Sequence, residues 1–312
     1  MSSSARCSTC RSPALLRQRP ATPGDSAGDV ARPAAGVDLH THSTASDGSR
    51  SPREVAEAAR AAGLSAIALT DHDTLSGVSE ARNAGTELGL RVVAGVELSA
   101  HHGDNEVHIL ALHVERVEWL ESRLEQFRLA RGIRAARIVD RLRELGTDIS
   151  LQSVLETAGP GSIGRPHIAS VLISSGIVRD SREAFDRFLA AGRPAFVEKE
   201  RLEVRDAIDL SHEAGAIAVW AHPGSGGVRA RLEPLIELGL DGVEVRHPSH
   251  GREDMARLGT LANHFSLLES GGSDWHGAAE GPRVLGCMNV PVEWLYRHDA
   301  VRAARAARLE MR

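Results

Sequence analysis

Lysine is almost absent from this chain. Lys199 is the only one, and the other 36 basic residues are arginine. Such a bias fits codon composition, so a cluster of arginines is not by itself a selected feature. Positive charge is not in excess either. The formal net charge is −5, which does not suit a strongly basic binder of duplex DNA. Anionic substrates must then be met locally, by metals and a few arginines. Cysteine is scarce: Cys7, Cys10 and Cys287. Cys7-Ser8-Thr9-Cys10 has half of a zinc-site spacing but no second pair nearby, so it reads as incidental. Nothing here demands an oxidising compartment. No apolar run approaches the roughly 18 residues of a membrane span. Ala14-Leu15-Leu16 is too short for a signal-peptide core. The expectation is a cytoplasmic protein with no membrane and no duplex DNA partner.

What is present fits one α/β barrel or two smaller domains in 312 residues. Residues 1–35 are rich in Ser, Arg, Pro, Ala and Gly without apolar periodicity, and read as a disordered tail. From Val37 to Leu112, short apolar runs alternate with helical stretches. Ser51-Pro52-Arg53-Glu54 spells a helix start with a capping box, and Gly63 a stop. A second helix is expected over Val78 to Leu88, ending at Gly89. This order implies parallel strands with right-handed crossovers. Between Arg116 and Arg205 the pattern changes. Leu120, Leu124, Phe127, Ile138, Leu142 and Leu145 mark a long amphipathic helix. Shorter helices follow near 151–157, 167–174 and 182–189. Alternation then resumes, with strands expected at 216–221, 242–245 and 265–269. The expected organisation is a tail (1–35), a barrel (36–115 and 206–312) and a helical insertion over its mouth (116–205).

Metal-binding side chains sit at the ends of the apolar runs. Asp38-Leu39-His40-Thr41-His42 is followed by Asp47. Thr70-Asp71-His72-Asp73 follows Ala66–Leu69. Glu97 follows Val92–Val96, and His108 lies inside Glu106–Leu110. His222 follows Ile217–Ala221, and Asp274 and His276 close the series. Imidazole and carboxylate hold Mn, Fe or Zn at neutral pH. Six His and three carboxylates exceed one ion and suit two or three. His40 and His42, two apart on a strand end, point to one face. Asp38 could orient one of them as a hydrogen-bond acceptor. Asp71 and Asp73 could equally cap the next helix. A carboxylate such as Glu97 is expensive at the end of an apolar strand unless it binds cations. Ligands just past strand C-termini stand where α/β barrels carry active sites. Alone, Asp47 reads as a turn residue and His108 as a core histidine. Arg128, Arg131, Arg134 and Arg137 form a ridge on the long helix. Arg165, fixed in Gly164-Arg165-Pro166-His167 at a helix start, suits a phosphate clamp. His247 and His250 lie near the expected mouth. His101-His102 read as a polar loop.

From Val37 to Pro282 the sequence resembles the PHP (polymerase and histidinol phosphatase) phosphoesterases, nearest the stand-alone nucleotide phosphatase and 5′-3′ exoribonuclease branch. The resemblance rests on D-x-H-x-H, T-D-H-D, G-x-E, a lone His, G-R-P-H, A-H-P and S-D-x-H, all in order. It implies a distorted (β/α)7 barrel with a trinuclear divalent-metal site, manganese first, with iron or zinc as alternatives. It makes Asp47 and His108 ligands and Glu97 a bridge. The implied allocation is His40, His42, Glu97 and Asp274 on one ion. Glu97, His108 and His222 hold a second; Asp47, His72 and His276 hold a third. Glu97, Asp274 and His222 are expected at the chemical step, in which water activated by the cations attacks phosphorus. Arg131, Arg134, Arg165 and His247 are expected at the substrate, a nucleotide or short RNA. Histidinol phosphate is an alternative substrate within the superfamily, and a non-catalytic metal-binding module an alternative role. Amidohydrolases share H-x-H, but many need a strand-end lysine, and Lys199 does not sit at one. Arg246 stands where relatives often carry an aromatic residue.

Overall fold

The computed structural model describes residues 36–158, 163–198 and 202–310. The expectations about the tail, Cys7, Cys10 and Lys199 fall outside them.

Strand β1 (Val37–Thr41) is buried throughout. Helix α1 (Pro52–Ala61) starts at the expected capping box. The Ser51 side chain accepts from the Glu54 N–H, and the Glu54 carboxylate accepts from the Ser51 N–H at 2.8 Å. Val55, Ala56 and Ala59 of α1 pack with Ile67 and Leu69 of β2 (Ala66–Leu69). Helix α2 (Val78–Leu88) ends at Gly89, left-handed at φ 65°. Its N-cap is Gly77, so neither Asp71 nor Asp73 caps it. The next strands are β3 (Arg91–His102) and β4 (Asn105–Leu112). His101 and His102 therefore end a strand instead of forming a loop.

Helix α3 (Val117–Glu144) is the expected long helix, burying Leu120, Leu124, Ile138 and Leu142. Leu145 lies past its last turn and is exposed. Helices α4 (Leu151–Ala158), α5 (Arg165–Ser174) and α6 (Ser181–Ala184) follow; a π-helical turn extends α6 to Leu189. The chain returns through β5 (Leu202–Glu203), α7 (Val204–Glu213), β6 (Ile217–Trp220), α8 (Arg229–Glu237), β7 (Gly242–Arg246), α9 (Arg252–Phe265), β8 (Leu268–Gly271) and α10 (Val292–Glu310). The last strand starts later than expected, because Phe265 ends α9 and Ser266 caps it at φ 56°. No helix among the described residues is long and apolar enough to cross a membrane.

The sheet order is β1-β2-β3-β4-β6-β7-β8, with β5 beside β3. The all-parallel expectation fails at β4, which pairs antiparallel with both β3 and β6. The reason is local. Two residues, Gly103 and Asp104, join β3 to β4, and a parallel return needs a crossover of about a dozen. Among the described strands only β4 runs backwards. The edges of the sheet meet. Thr41 pairs with Trp275, just past β8, and the His42 N–H donates to the Trp275 carbonyl at 2.9 Å. Gly272 permits this approach: a Cβ there would stand 2.4 Å from the His40 Cβ.

Helix α3 contributes to two apolar clusters, one from each half of its length. Leu120 and Leu124 join the core under the sheet. Ala135, Ile138, Val139 and Leu142 join a separate cluster with α4 and α5. The helices between β4 and β5 therefore have apolar packing of their own, while the end of the expected insertion holds the short strand β5.

Candidate metal centre

The ligand candidates converge on Glu97, which is almost completely buried. Its Oε1 lies 2.7 Å from His108 Nδ1 and 2.8 Å from His222 Nε2. Its Oε2 lies 3.1 Å from His40 Nε2, 3.3 Å from His42 Nε2 and 3.4 Å from His72 Nδ1. One carboxylate thus faces five imidazoles, two on one oxygen and three on the other. Burial alone would raise the Glu97 carboxyl, but His40, His72, His108 and His222 hold it well below the usual carboxylate range.

The direction of β4 explains His108. The other candidate ligands stand at or past the C-terminal ends of their strands, except Glu97, which lies midway along the longer β3, level with His72. His108 sits in the first half of β4, paired with Ser99, and because β4 runs backwards this is the same end of the sheet.

A second carboxylate, Asp274, lies 3.1 Å from His42 Nε2 and 3.5 Å from His40 Nε2 through Oδ1. The third, Asp47, lies 3.3 Å from His276 Nε2 and 3.8 Å from His72 Nε2. Two groups of four side chains result, each with ligand atoms close enough to share a cation: His40, His42, Glu97, Asp274, and His42, Asp47, His72, His276. A further group joins His72, Glu97 and His108, and His222 reaches the same Glu97 oxygen as His108. The first group matches the expected allocation. His42 and His72 each stand between groups, which the sequence did not separate.

These residues fit cations better than they fit one another. Both ring nitrogens of His42 and the Nδ1 of His72 are buried without a hydrogen-bond partner. His42 Nε2 is near two carboxylates but out of line for a hydrogen bond to either. Buried polar atoms are seldom left so, and a bound ion would complete them. His222 (φ 29°), Asp274 (φ 50°) and Asp73 (φ 52°) hold left-handed backbone, strain of a kind that gathers at functional sites.

Of the neighbouring acids, Asp38 does different work from that expected. Asp38 accepts the backbone N–H of Ser273 and of Gly286, each at 2.9 Å, and orients no imidazole. Asp71 accepts from the Ser43 N–H, the Ser43 hydroxyl and the Ser46 hydroxyl, which fixes the loop carrying Asp47. Asp73 accepts from the Ser99 N–H and hydroxyl. Sequence reasoning missed Glu244, which is fully buried on β7 and bonds His40. Its signal was the one that marked Glu97, a carboxylate inside an apolar strand. It also missed Arg283, which is ion-paired with Asp274.

A cavity of about 730 Å³ opens on the cluster. Asp47, His72 and His108 line it together with Arg131, Arg134 and Arg165. Arg134 donates to the Val197 carbonyl. Burial and then the charges of Arg165 and Arg131 push its guanidinium down to about 10. Arg165 donates to the Leu189 carbonyl and lies over the rings of Phe185 and Phe196. Arg128 bonds Glu121 and the Asp73 carbonyl, while Arg137 is exposed. His247, expected at the substrate, is buried and does not line the cavity. Its Nδ1 pairs with Ser249 and its Nε2 with Asp274. His250 is buried too, bonded to the Val245 carbonyl and the Gly224 N–H. Arg246 turns to the Met288 carbonyl and lies over Trp294, so it supplies no aromatic face.

Comparison with known proteins agrees with this geometry. The PHP domain family matches residues 38–127. The 3′,5′-nucleoside bisphosphate phosphatase of Chromobacterium violaceum is 36% identical over 259 residues, 81% of this chain and 91% of that protein. A 5′-3′ exoribonuclease of Haemophilus influenzae is 35% identical over 245 residues, 77% of this chain and 89% of that protein. A solved structure from Bifidobacterium adolescentis, assigned as a metal-dependent phosphoesterase, superposes with a TM-score of 0.69 at 34% identity, covering 85% of this chain and 96% of that one. The buried His and carboxylate cluster, its order along the chain and these relatives agree: the chain belongs to the PHP family of metal-dependent phosphoesterases.

Proposed function

We propose that this chain hydrolyses phosphate esters of nucleotides: a nucleoside monophosphate, a 3′,5′-bisphosphate or the 5′ end of a short RNA. One observation carries the reading. A single cavity is lined both by candidate cation ligands and by three arginines, the two kinds of group that neutralise phosphoryl oxygens. The relatives' substrates support it by analogy. Two to three cations, manganese first, suit the overlapping ligand groups.

When bound, the cations supply Lewis acidity to the phosphate and lower the pKa of a coordinated water toward neutrality. The chain's own residues divide the remaining work. The two oxygens of Glu97 face different sets of imidazoles and would so hold two cations together. Asp274 with His40 and His42 would hold one; His108 and His222 would hold the other. Asp47 with His72 and His276 would hold a third. Arg165 and Arg134 present guanidinium groups to the anion, and α3 and α5 wall the cavity. The stretch 116–205 thus acts as the recognition insertion.

The test is a substrate screen of the protein reconstituted with manganese, with ion content measured by elemental analysis. Aryl phosphate, mononucleotides, 3′,5′-bisphosphates, short RNA and histidinol phosphate are compared by kcat/KM. The reading expects nucleotides to lead and two to three ions per chain. Preference for histidinol phosphate, or full activity with one ion, would overturn it.

A further inference from the structure

Glu244 is a buried carboxylate that meets the outer ring nitrogen of a candidate ligand, His40. Its Oε1 lies 3.1 Å from His40 Nδ1, and its Oε2 accepts the backbone N–H of His222 at 2.7 Å. Neither Glu244 nor His40 has any solvent exposure. His40 comes from β1 and His222 from the end of β6, so one side chain on β7 grips ligands from two other strands. The opposite ring nitrogen, His40 Nε2, points at Glu97 and Asp274.

We infer that Glu244 is a positioning residue for the metal centre. It holds the proton on His40 Nδ1, which leaves Nε2 as the ligand atom. It also clamps the backbone of His222 in its left-handed conformation (φ 29°), which aims that imidazole at Glu97 Oε1. Carboxylates that bond the outer nitrogen of a ligating histidine fix its tautomer and ring orientation. Here the same carboxylate does so for one ligand and sets the backbone of a second.

A competing role is that of a ligand, since His40, Glu244 and His247 lie close enough to share an ion. The hydrogen bonds argue against it. Glu244 Oε2 is taken by a backbone N–H, and Oε1 meets the His40 nitrogen opposite the one aimed at Glu97 and Asp274. His247 is engaged at both nitrogens, by Ser249 and Asp274.

The inference rests on the proposed cation site, and the experiment separates the two. Manganese affinity and saturating ion content are measured by calorimetry and elemental analysis for the wild type and Glu244→Gln. Glutamine keeps the size but cannot serve both donors. The expected result is the same saturating ion content with affinity weaker by about 10- to 100-fold. Equal affinity in both proteins would overturn the positioning role. Loss of one ion at saturation would make Glu244 a ligand and overturn it as well. A wild type that binds no manganese would instead refute the cation site itself. Should Glu244→Gln fail to fold, nitrogen-15 NMR of histidine-labelled wild type loaded with zinc gives an independent answer. His40 is expected with its proton on Nδ1; a proton on Nε2 would overturn the inference.

Discussion

Arg131 of α3 donates to Asp73 Oδ2 at 2.6 Å, and both side chains are largely buried. The bond pins the long helix to the loop that carries His72. Asp73 in turn grips Ser99 on β3. A residue expected at the substrate is thus a brace between α3 and this loop.

Removing that brace has two effects. Arg131→Ala leaves Asp73 buried without its cation, a loss of about 3–5 kcal/mol for a buried pair, less here because the pair is not wholly desolvated. The melting temperature is expected to fall, and kcat/KM to fall more on a 3′,5′-bisphosphate than on an aryl phosphate. Thermal melts and kinetics on both substrates check this. An unchanged melt with equal kinetic losses would leave Arg131 neither brace nor second-phosphate contact.

Glu97→Gln is expected to abolish nearly all turnover, by at least about 100-fold, while the chain stays folded. Glutamine cannot present two anionic oxygens to the imidazoles and cations on either side. The check is kcat at saturating manganese beside a circular dichroism spectrum. Activity within about tenfold of wild type, roughly 1.4 kcal/mol in barrier, rules out a bridging role.

Arg165→Ala should lower kcat/KM by about 10- to 1000-fold, the scale of one or two charge-assisted hydrogen bonds. Manganese content should not change, because arginine is no ligand. Since Arg165 also rests on Phe185 and Phe196, a melt must accompany the kinetics. A fall in stability with undiminished kcat/KM would assign it to packing alone.

Protons and cations compete for the same imidazoles. In the metal-free chain burial lowers His42 and His108, but carboxylates outweigh it: Asp274 and Glu97 raise His42 to about 9, and Glu106 and Glu97 raise His108 to about 10. Values raised on folding give stability that is complete below the unfolded value of about 6.5 and lost as pH rises through 9 to 10. Cation binding needs these rings unprotonated, so it strengthens over the same window. Melts with chelator and with manganese are compared between about pH 6.5 and about pH 9.5. The gap between them is expected to widen with pH; a constant gap would show that these histidines meet no cation.

Gly272→Ala is expected to cost about 1–3 kcal/mol as overpacking and to weaken manganese binding. The new methyl would press on the His40 Cβ and backbone N and on Asp38 Oδ1. Gly259→Ala, in α9 with only ordinary contacts near 3.8 Å, serves as control. The same fall in both proteins would show that the close approach at Gly272 is slack.

The sequence by itself determined the local pieces: the capping box at Ser51, the stop at Gly89, the span of α3, and the apolar runs beside which the candidate ligands stand. Each is written in neighbouring residues or in a periodicity of 2 or 3.6, which a linear reading detects. It marked Glu97 because a carboxylate closing an apolar strand needs partners. The same signal was present at Glu244, but which donors it meets was not, since His40 is 204 positions away. Only the tertiary structure decided that β4 runs backwards and so carries His108 to the ligand end. Only it turned Asp38 from the imidazoles to the Ser273 and Gly286 backbone, buried His247 behind Asp274, and set Arg131 on Asp73. Those outcomes depend on strand direction and on the meeting of the sheet's edges. They join residues far apart in the chain, and no local pattern encodes that distance.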